Sequence, residues 1–486
     1  MTARVGTTGL VFEEPPIWER SRPGRTGFSL PRRDVPEAAL PPGLEGEAPD
    51  LPELTEADVV RHFTRLSQWN VSVDTTTYPL GSCTMKYNPR LHEAVVALEG
   101  LRAAHPLLPP ALAQGPLRIL WEAERFLAEI TGMDAVSLQP AAGAQGELTG
   151  ILVIRAFLAR RGERRTKILV PDTAHGTNPA SAALCGLRPV PVASGPDGVL
   201  EPAAVEAVMD EGVAGIMVTN PNTLGLFEEN LKEVAEIVHA KGGLVYCDGA
   251  NLNALMGVVR MGDLGVDAMH LNLHKTFSAP HGGGGPGSGP LCVRAPFEPF
   301  LPVPRIVERP DGSLDLDHGR PLSVGRVHAF YGNFGVIVRA WAYIRSMGAE
   351  GLRRASELAV LNANYVKERL KDVLHLPYDR PCLHECVFTD RNQTPRKVTA
   401  LDMAKRLIDY GYHPPTIYFP LVVRGALMIE PTETESKADL DGLIEALRAI
   451  AAEAEAEPQV LHDAPVRAKR RRLDEAAAAR SPCLTG

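Results

Sequence analysis

Residues 134–290 repeat one pattern: a short apolar run, a turn carrying polar side chains, then a helical stretch with apolar residues three and four positions apart. Parallel strands need a crossover of about a dozen residues between them, so this alternation predicts a mostly parallel sheet covered by helices. The strand candidates are DAVSLQP from Asp134, KILV at 167–170, GIMVTNPNTLG from Gly215, GLVYCDGANLNA with its run ending on Asp248, and residues 266–273. Between the third and fourth lies a helix with Leu231, Val234, Ile237 and Val238 on its apolar positions. In open α/β sheets the carboxyl ends of strands line the binding crevice. His175, Asn222, Asp248 and Lys275 are therefore expected to converge.

Lys275 has the most unusual neighbourhood. It follows an apolar run, stands between His274 and Thr276, and precedes Pro280, His281 and glycines 282–285. Desolvation lowers a lysine's pKa, and a neutral amine condenses with an aldehyde. Taken alone, the segment equally describes a surface lysine beside a glycine-rich turn, and the upstream stretches decide between the two. AAGAQGE (141–147) opens a helix with Ala142, Gly143 and Ala144, small residues that leave N–H groups unobstructed for an anion such as phosphate. DTAHGTNPAS delivers His175 into a turn before the next helix, where it would stack on a flat ring. Asp248 would keep a pyridine nitrogen protonated, and Ala250 would pack on the opposite face of the ring. With Lys275 for the aldehyde, these are the contacts that pyridoxal 5'-phosphate requires. Asn222, Asn272 and His274 complete the expected cofactor contacts.

YPLGSCTMKYNP, QPAAGAQGE, DTAHGTNPAS, CDGANLNA and HLNLHKTFSAPHGGGGPGSGP resemble the most distinctive segments of the pyridoxal-phosphate half of glycine dehydrogenase (decarboxylating), the P protein of the glycine cleavage system. The resemblance spans residues 75–290, and the remainder to about 458 is compatible with it, including SVGRVHAFYGNFGV (323–336). It implies a fold type I, aspartate aminotransferase-like architecture: a large, mostly parallel sheet domain plus a smaller carboxy-terminal α/β domain, with the cofactor on Lys275. It also implies glycine decarboxylation with transfer of the aminomethyl group to the lipoyl group of the H carrier protein. That family occurs as one long chain or as two subunits, and 486 residues with the lysine here resembles the separate second subunit. A homologous first subunit is thus implied as partner, in an assembly of two plus two. Glycine offers no side chain to grip, so the substrate pocket is expected to exclude larger amino acids, with Tyr78, Cys83 and His281 as candidate lining residues and catalysis resting on Lys275, Asp248 and His175.

The expected domains are an arm and helix over 1–75, the cofactor domain over 76–325, a small domain over 326–460, and a tail over 461–486 that packs on the partner or is flexible. The arm is proline-rich to about residue 50. A helix follows over 54–69 behind Thr55, with Ala57, Val60, Phe63 and Leu66 on recurrent faces. Residues 75–89 mix hydroxyls, an aromatic ring, a thiol and a cation, as a binding loop does. Cys83 has no base visible near it in the sequence, which favours a packed or redox-sensitive thiol over a nucleophile. In the small domain, helices are expected at 335–346, 352–374, 400–410 and 437–455, a strand near 384–389 and an apolar run over 421–429, with HPPTIYFP (413–420) as a structural turn or part of the site mouth.

A net charge of −8 argues against nucleic acid as a partner, and one basic run, KRRR at 469–472, does not reverse that. No apolar run is long enough to span a bilayer, and seven scattered cysteines suit reduced thiols, so a cytoplasmic protein without membrane contact is expected. No metal is expected: Cys382, His384 and Cys386 lack a second ligand cluster, and His270, His274 and His281 lack the carboxylate and helical spacing of a metal hydrolase. Two alternatives stand beside the decarboxylase: another fold type I enzyme, such as an amino-acid decarboxylase or cysteine desulfurase, and a non-catalytic subunit of the same fold.

Overall fold

The computed structural model describes residues 14–29, 31–44, 46, 47, 49–282 and 285–483. They divide into two compact units, Met1–Thr75 and Thr76–Gly486. In the first, the helix Glu56–Ser67 starts at a reciprocal capping box, in which the Thr55 hydroxyl accepts from the Asp58 N–H at 3.2 Å and the Asp58 carboxylate accepts from the Thr55 N–H at 3.2 Å. The helix is where the apolar spacing places it. Val60 and Phe63 are each 56% exposed, and the buried residue is His62. Its ring meets the buried Glu14 carboxylate at 2.9 Å, with Arg20 and Arg65 on the same acid. A buried carboxylate needs these cations, and they turn the polar face inward.

The second unit is built on a seven-stranded sheet: β1 (Ala135–Ser137), β2 (Lys167–Pro171), β3 (Arg188–Val192), β4 (Val213–Thr219), β5 (Leu244–Gly249), β6 (Ala268–Leu271) and β7 (Leu291–Val293), in the order β1-β7-β6-β5-β4-β2-β3. The pairs from β6 through β5, β4 and β2 to β3 are all parallel, and β7 is antiparallel to both β6 and β1. β4 and β5 are buried along their whole length, as continuous apolar runs covered on both faces must be. Because β1, β2, β4, β5 and β6 all run in one direction, the turns that leave them gather on one edge. The helix Gly143–Arg160 leaves β1 there, and His175, Asn222, Asp248 and Lys275 follow or end the other strands on the same side.

After a hairpin of β8 (Arg305–Glu308) and β9 (Leu314–Asp317), two helices within Phe334–Leu370 meet at Gly348, whose φ of 63° and ψ of −179° are open to glycine alone. The second of them helps cover a small antiparallel sheet of β10 (Cys386–Thr389), β11 (Thr416–Ile417) and β12 (Ala426–Ile429), ordered β10-β12-β11, together with the helices Ala400–Asp409 and Lys437–Ala456. The apolar run at 421–429 does not form one strand. Gly425 takes a φ of 66°, only Ala426–Ile429 enters the sheet, and Leu421 is 86% exposed. At the far end Arg472 bonds Asp402 at 2.7 Å and the carbonyls of Leu461 and Ala464, which ties the start of the tail to this chain's own small sheet domain. No helix among the described residues is long and apolar enough to cross a membrane.

Candidate active site

Asp248 ends β5 and is 2% exposed. Its Oδ1 accepts from the Ala250 N–H at 3.0 Å and lies 3.2 Å from His270 Nε2. The other oxygen accepts from the Asn178 amide at 3.2 Å in the orientation that also satisfies the His175 carbonyl. Tyr246 lies 2.6 Å from His270 Nδ1, and burial raises that phenol far above its ordinary value, so it donates. Nδ1 then accepts, and Nε2 must carry the proton that faces Asp248. A buried carboxylate ringed by donors in this way is preserved for a cation.

His175 stands after β2, its N–H on Thr219 Oγ1 at 3.3 Å and its ring edge-on to Phe419 with centroids 5.8 Å apart. Burial lowers its pKa against the pull of Asp248, so it presents a flat neutral ring. Its Nδ1 lies 2.8 Å from Thr177 Oγ1, which lies 2.9 Å from Glu147 Oε2. Burial, with Asp248 nearby, pushes Glu147 up to about 7. Thr177 also gives its N–H to His175 Nδ1 at 3.3 Å, so that nitrogen accepts and Nε2 carries the ring proton.

The helix Gly143–Arg160 begins at Ala142 without a side-chain cap, so its start is left to an external anion. A Cβ on Gly143 would lie 2.3 Å from Asn272 Oδ1, which brings Asn272 to this helix start, and that oxygen is buried without a hydrogen-bond partner. Ala144 is exposed on the first turn. Lys275 follows β6, and its Nζ donates to the Ser82 carbonyl at 2.5 Å. Both His175 and His270 feel Asp248 and Lys275 together.

Asn222 does not join these residues through its amide. Its Nδ2 donates to the Gly198 carbonyl at 2.9 Å and to Glu228 at 2.8 Å, and its Oδ1 accepts from the N–H groups of Leu224 and Leu226. All four positions of the amide are taken, so Asn222 pins its own turn and has nothing left for a cofactor. His274 accepts from the Ser288 N–H at 3.1 Å, and burial together with His281 and Lys275 pushes its pKa down to about 4. His281 lies 2.5 Å from the His274 carbonyl through Nε2, so it braces the turn that carries Lys275. Gly283 and Gly284 of the glycine run lie outside the described residues.

The loop 78–88 closes the other side. Tyr78 stacks on His413 at 3.9 Å, and Phe419 reaches His175, so the 413–420 segment belongs to the mouth of the site. Burial raises the Cys83 pKa, which keeps a protonated thiol at neutral pH. Lys86, 3% exposed, donates to Glu433 at 2.7 Å and to the Thr276 carbonyl at 2.6 Å. Ser82 and Thr84 take φ of 59° and 47°, uncommon for side-chain-bearing residues, and their N–H groups bond Glu385 at 2.7 Å and Glu430 at 3.1 Å. Sequence reasoning assigned no part to Glu147, His270, Glu385 or Glu430. For the first two a signal existed, since both lie inside motifs that carry the site. For the last two none did, because they come from 303 and 346 residues away.

Cys382, His384 and Cys386 do not converge: Cys386 Sγ lies 3.8 Å from the Ile429 carbonyl, and His384 faces Glu385. His270 and His274 likewise part, one to Asp248 and one to Ser288. The residues do fit pyridoxal phosphate. An uncapped helix start, a donor-ringed carboxylate and a half-buried lysine stand on one edge of the sheet.

The family model of the glycine dehydrogenase C-terminal domain matches residues 355–472, and that of aminotransferase class-V matches 148–285. A probable glycine dehydrogenase (decarboxylating) subunit 2 of Caldanaerobacter subterraneus is 54% identical over 96% of this chain and 98% of its own length. One of the same description from Oceanobacillus iheyensis is 54% identical over 97% and 98%. Among solved structures, a glycine decarboxylase (P-protein) of the glycine cleavage system in inhibitor-bound form superposes with a TM-score of 0.72 at 22% identity, over 85% of this chain and 93% of that one.

Proposed function

This chain belongs to the family of glycine dehydrogenase (decarboxylating) subunit 2, and from that premise we propose that it releases carbon dioxide from glycine and passes the aminomethyl group to the lipoyl disulfide of the H carrier protein. The fold is that of the fold type I pyridoxal-phosphate enzymes, and the observation that carries the reading is the meeting of Lys275, Asp248 and the open start of Gly143–Arg160 on one sheet edge. When bound, the cofactor's protonated pyridine ring accepts the electron pair left by the departing carboxylate.

The chain's own residues set up that chemistry. The N–H groups of Gly143 and Ala144 would hold the phosphate. Asp248, fixed by Ala250, His270 and Asn178, keeps the proton on the ring nitrogen. Lys275 supplies the amine for the aldehyde. Neutral His175 and Ala250 would lie against the two faces of the ring, and Tyr78, Cys83 and His413 would narrow the mouth so that a substrate without a side chain is favoured.

A second subunit implies a first, and an assembly of two plus two suits the amino-terminal unit, where Trp18, Phe28, Leu44 and Phe63 stand 56–71% exposed. The thiols Cys83, Cys185, Cys247, Cys292, Cys382 and Cys386 form no disulfide, as suits the reducing cytoplasm. The test combines this chain with the homologous first subunit, pyridoxal phosphate and carboxyl-labelled glycine. Label release should depend on lipoylated carrier and be weak with this chain alone. Full release without carrier, or a preference for cysteine, would favour another fold type I enzyme.

A further inference from the structure

Across the 78–88 loop from Asp248 lies a second acidic cluster. His384, Glu385 and Glu430 are each 0% exposed, and one ligand-capable atom from each lies within 4.8 Å of the others. The Ser82–Thr84 peptides join this cluster to Lys275. Ser82 offers its carbonyl to Lys275 at 2.5 Å and its N–H to Glu385 at 2.7 Å. Thr84 gives both its N–H, at 3.1 Å, and its hydroxyl, at 2.6 Å, to Glu430, which also accepts from Asn253 at 3.2 Å. Neither ring nitrogen of His384 has a hydrogen-bond partner, although Nε2 is 3.5 Å from Glu385. A buried imidazole with unused capacity, aimed at two facing carboxyls, is costly unless it serves a proton that moves.

We propose that Glu385 and Glu430, with His384 beside them, hold one mobile proton between them and exchange it with Lys275. The proposal rests on Lys275 being the cofactor lysine. Two carboxylates this close and this buried do not both ionise readily. Burial and Glu430 push Glu385 well above the carboxylate range, and burial pushes Glu430 up to about 7 despite Thr84 and Lys275. The other ionisable groups that face the pair are Cys83 and Glu433, the latter occupied by Lys86, with the thiols of Cys382 and Cys386 behind Glu385. Burial drives His384 down to about 3, so it is a neutral relay.

The reaction needs such a store. When glycine loses carbon dioxide, the electron pair left on its α-carbon forms the carbon–sulfur bond and the disulfide breaks. The carbon is oxidised, the disulfide is reduced, and the leaving sulfur departs as a thiolate. Starting from zwitterionic glycine, the sum takes up one proton. Here the carboxyl O–H of the Glu385–Glu430 pair breaks, an N–H bond forms on the free Lys275 amine, and the ammonium passes a proton to the thiolate. The proton consumed in the sum comes finally from solution and has to reach the buried pair before the next turnover.

The experiment follows the absorbance of the cofactor against pH in the holoenzyme assembled with the first subunit. The wild type should show a step near pH 7, because the charge of the pair changes beside Lys275. Glu430→Gln should abolish it by removing the group that titrates there, Glu385→Gln should move it downward by removing a like-charged neighbour while burial still holds Glu430 raised, and Glu430→Asp should restore it. Thr84→Val, a nearly isosteric change, removes a bond that favours ionised Glu430 and should move the step upward by about one pH unit. A step unchanged in both glutamine variants, or in Thr84→Val should those variants fail to fold, overturns the proposal. Lys275→Ala tests the underlying cofactor reading separately: loss of the cofactor band there supports it, and a band that survives refutes it whatever the glutamine variants show.

Discussion

The two carboxylate groups on either side of Lys275 are built on opposite plans. Asp248 stands alone, with a backbone N–H, an imidazole and an amide all turned toward it. Glu385 and Glu430 face each other, so each meets a second acid as well as its donors. The first plan favours a fixed negative charge, which a protonated ring nitrogen needs. The second favours a proton that is held and released. Both sit within reach of one lysine, so the site separates permanent from mobile charge by neighbours rather than by residue type.

The largest effect should come from the fixed side. Asp248→Asn keeps the shape but removes the charge, and glycine decarboxylation should fall roughly 10²- to 10³-fold, the scale of losing one preorganised electrostatic partner. Cofactor binding, measured by equilibrium dialysis, should fall far less. Near-normal turnover would erase the contrast between the two plans.

A stability measurement sharpens the same contrast away from the site. Glu228, buried against Asn222 and the Leu200 N–H, is another crowded acid, and burial pushes it up to about 7. A raised carboxyl contributes stability below its unfolded value near 4.5, and that contribution is lost as pH rises through 7. Between pH 4.5 and 7 the wild type should therefore lose stability relative to Glu228→Gln, by on the order of 1.4 kcal/mol for each pH unit crossed. Denaturant titrations at several pH values would read it, and a difference constant with pH would contradict it.

The smallest effect concerns the loop that joins the two sides. A Cβ on Gly81 would lie 2.2 Å from Met428 Cγ and 2.7 Å from the Met428 carbonyl oxygen, and that carbonyl cannot move without β12. Gly81→Ala should cost about 1–3 kcal/mol in unfolding free energy. Cofactor binding by the Asp248 side should survive. A melting temperature equal to wild type would show the loop to be looser than its contacts imply.

The Asp248 side was readable in the chain because each of its residues sits at the end of an apolar run, where strand direction alone decides the edge it reaches. Lys275, His175 and the small-residue helix start followed from that rule. Asn222 obeyed the same rule and failed, because a turn holding two acceptors and two donors for one amide leaves no trace in residue order. The Glu385–Glu430 side was hidden for another reason. Its pairing with Ser82 and Thr84 depends on how the small sheet docks, and neither HECVFT nor LMIEPT carries a periodicity that says so. Which face of Glu56–Ser67 is covered was not legible either, since it depends on Glu14, 48 residues before His62.

Lys275, and not the more deeply buried Lys86, is proposed to carry the cofactor. Burial acts to lower the Lys86 pKa, but Glu433 beside it outweighs that and leaves it raised, so Lys86 stays an ammonium without a lone pair to attack an aldehyde. Borohydride reduction of the holoenzyme followed by peptide mass mapping decides the matter. The reduced pyridoxyl group should be recovered on the peptide containing Lys275, and its recovery on Lys86 or any other lysine would show that Lys275 is not the lysine that binds the aldehyde.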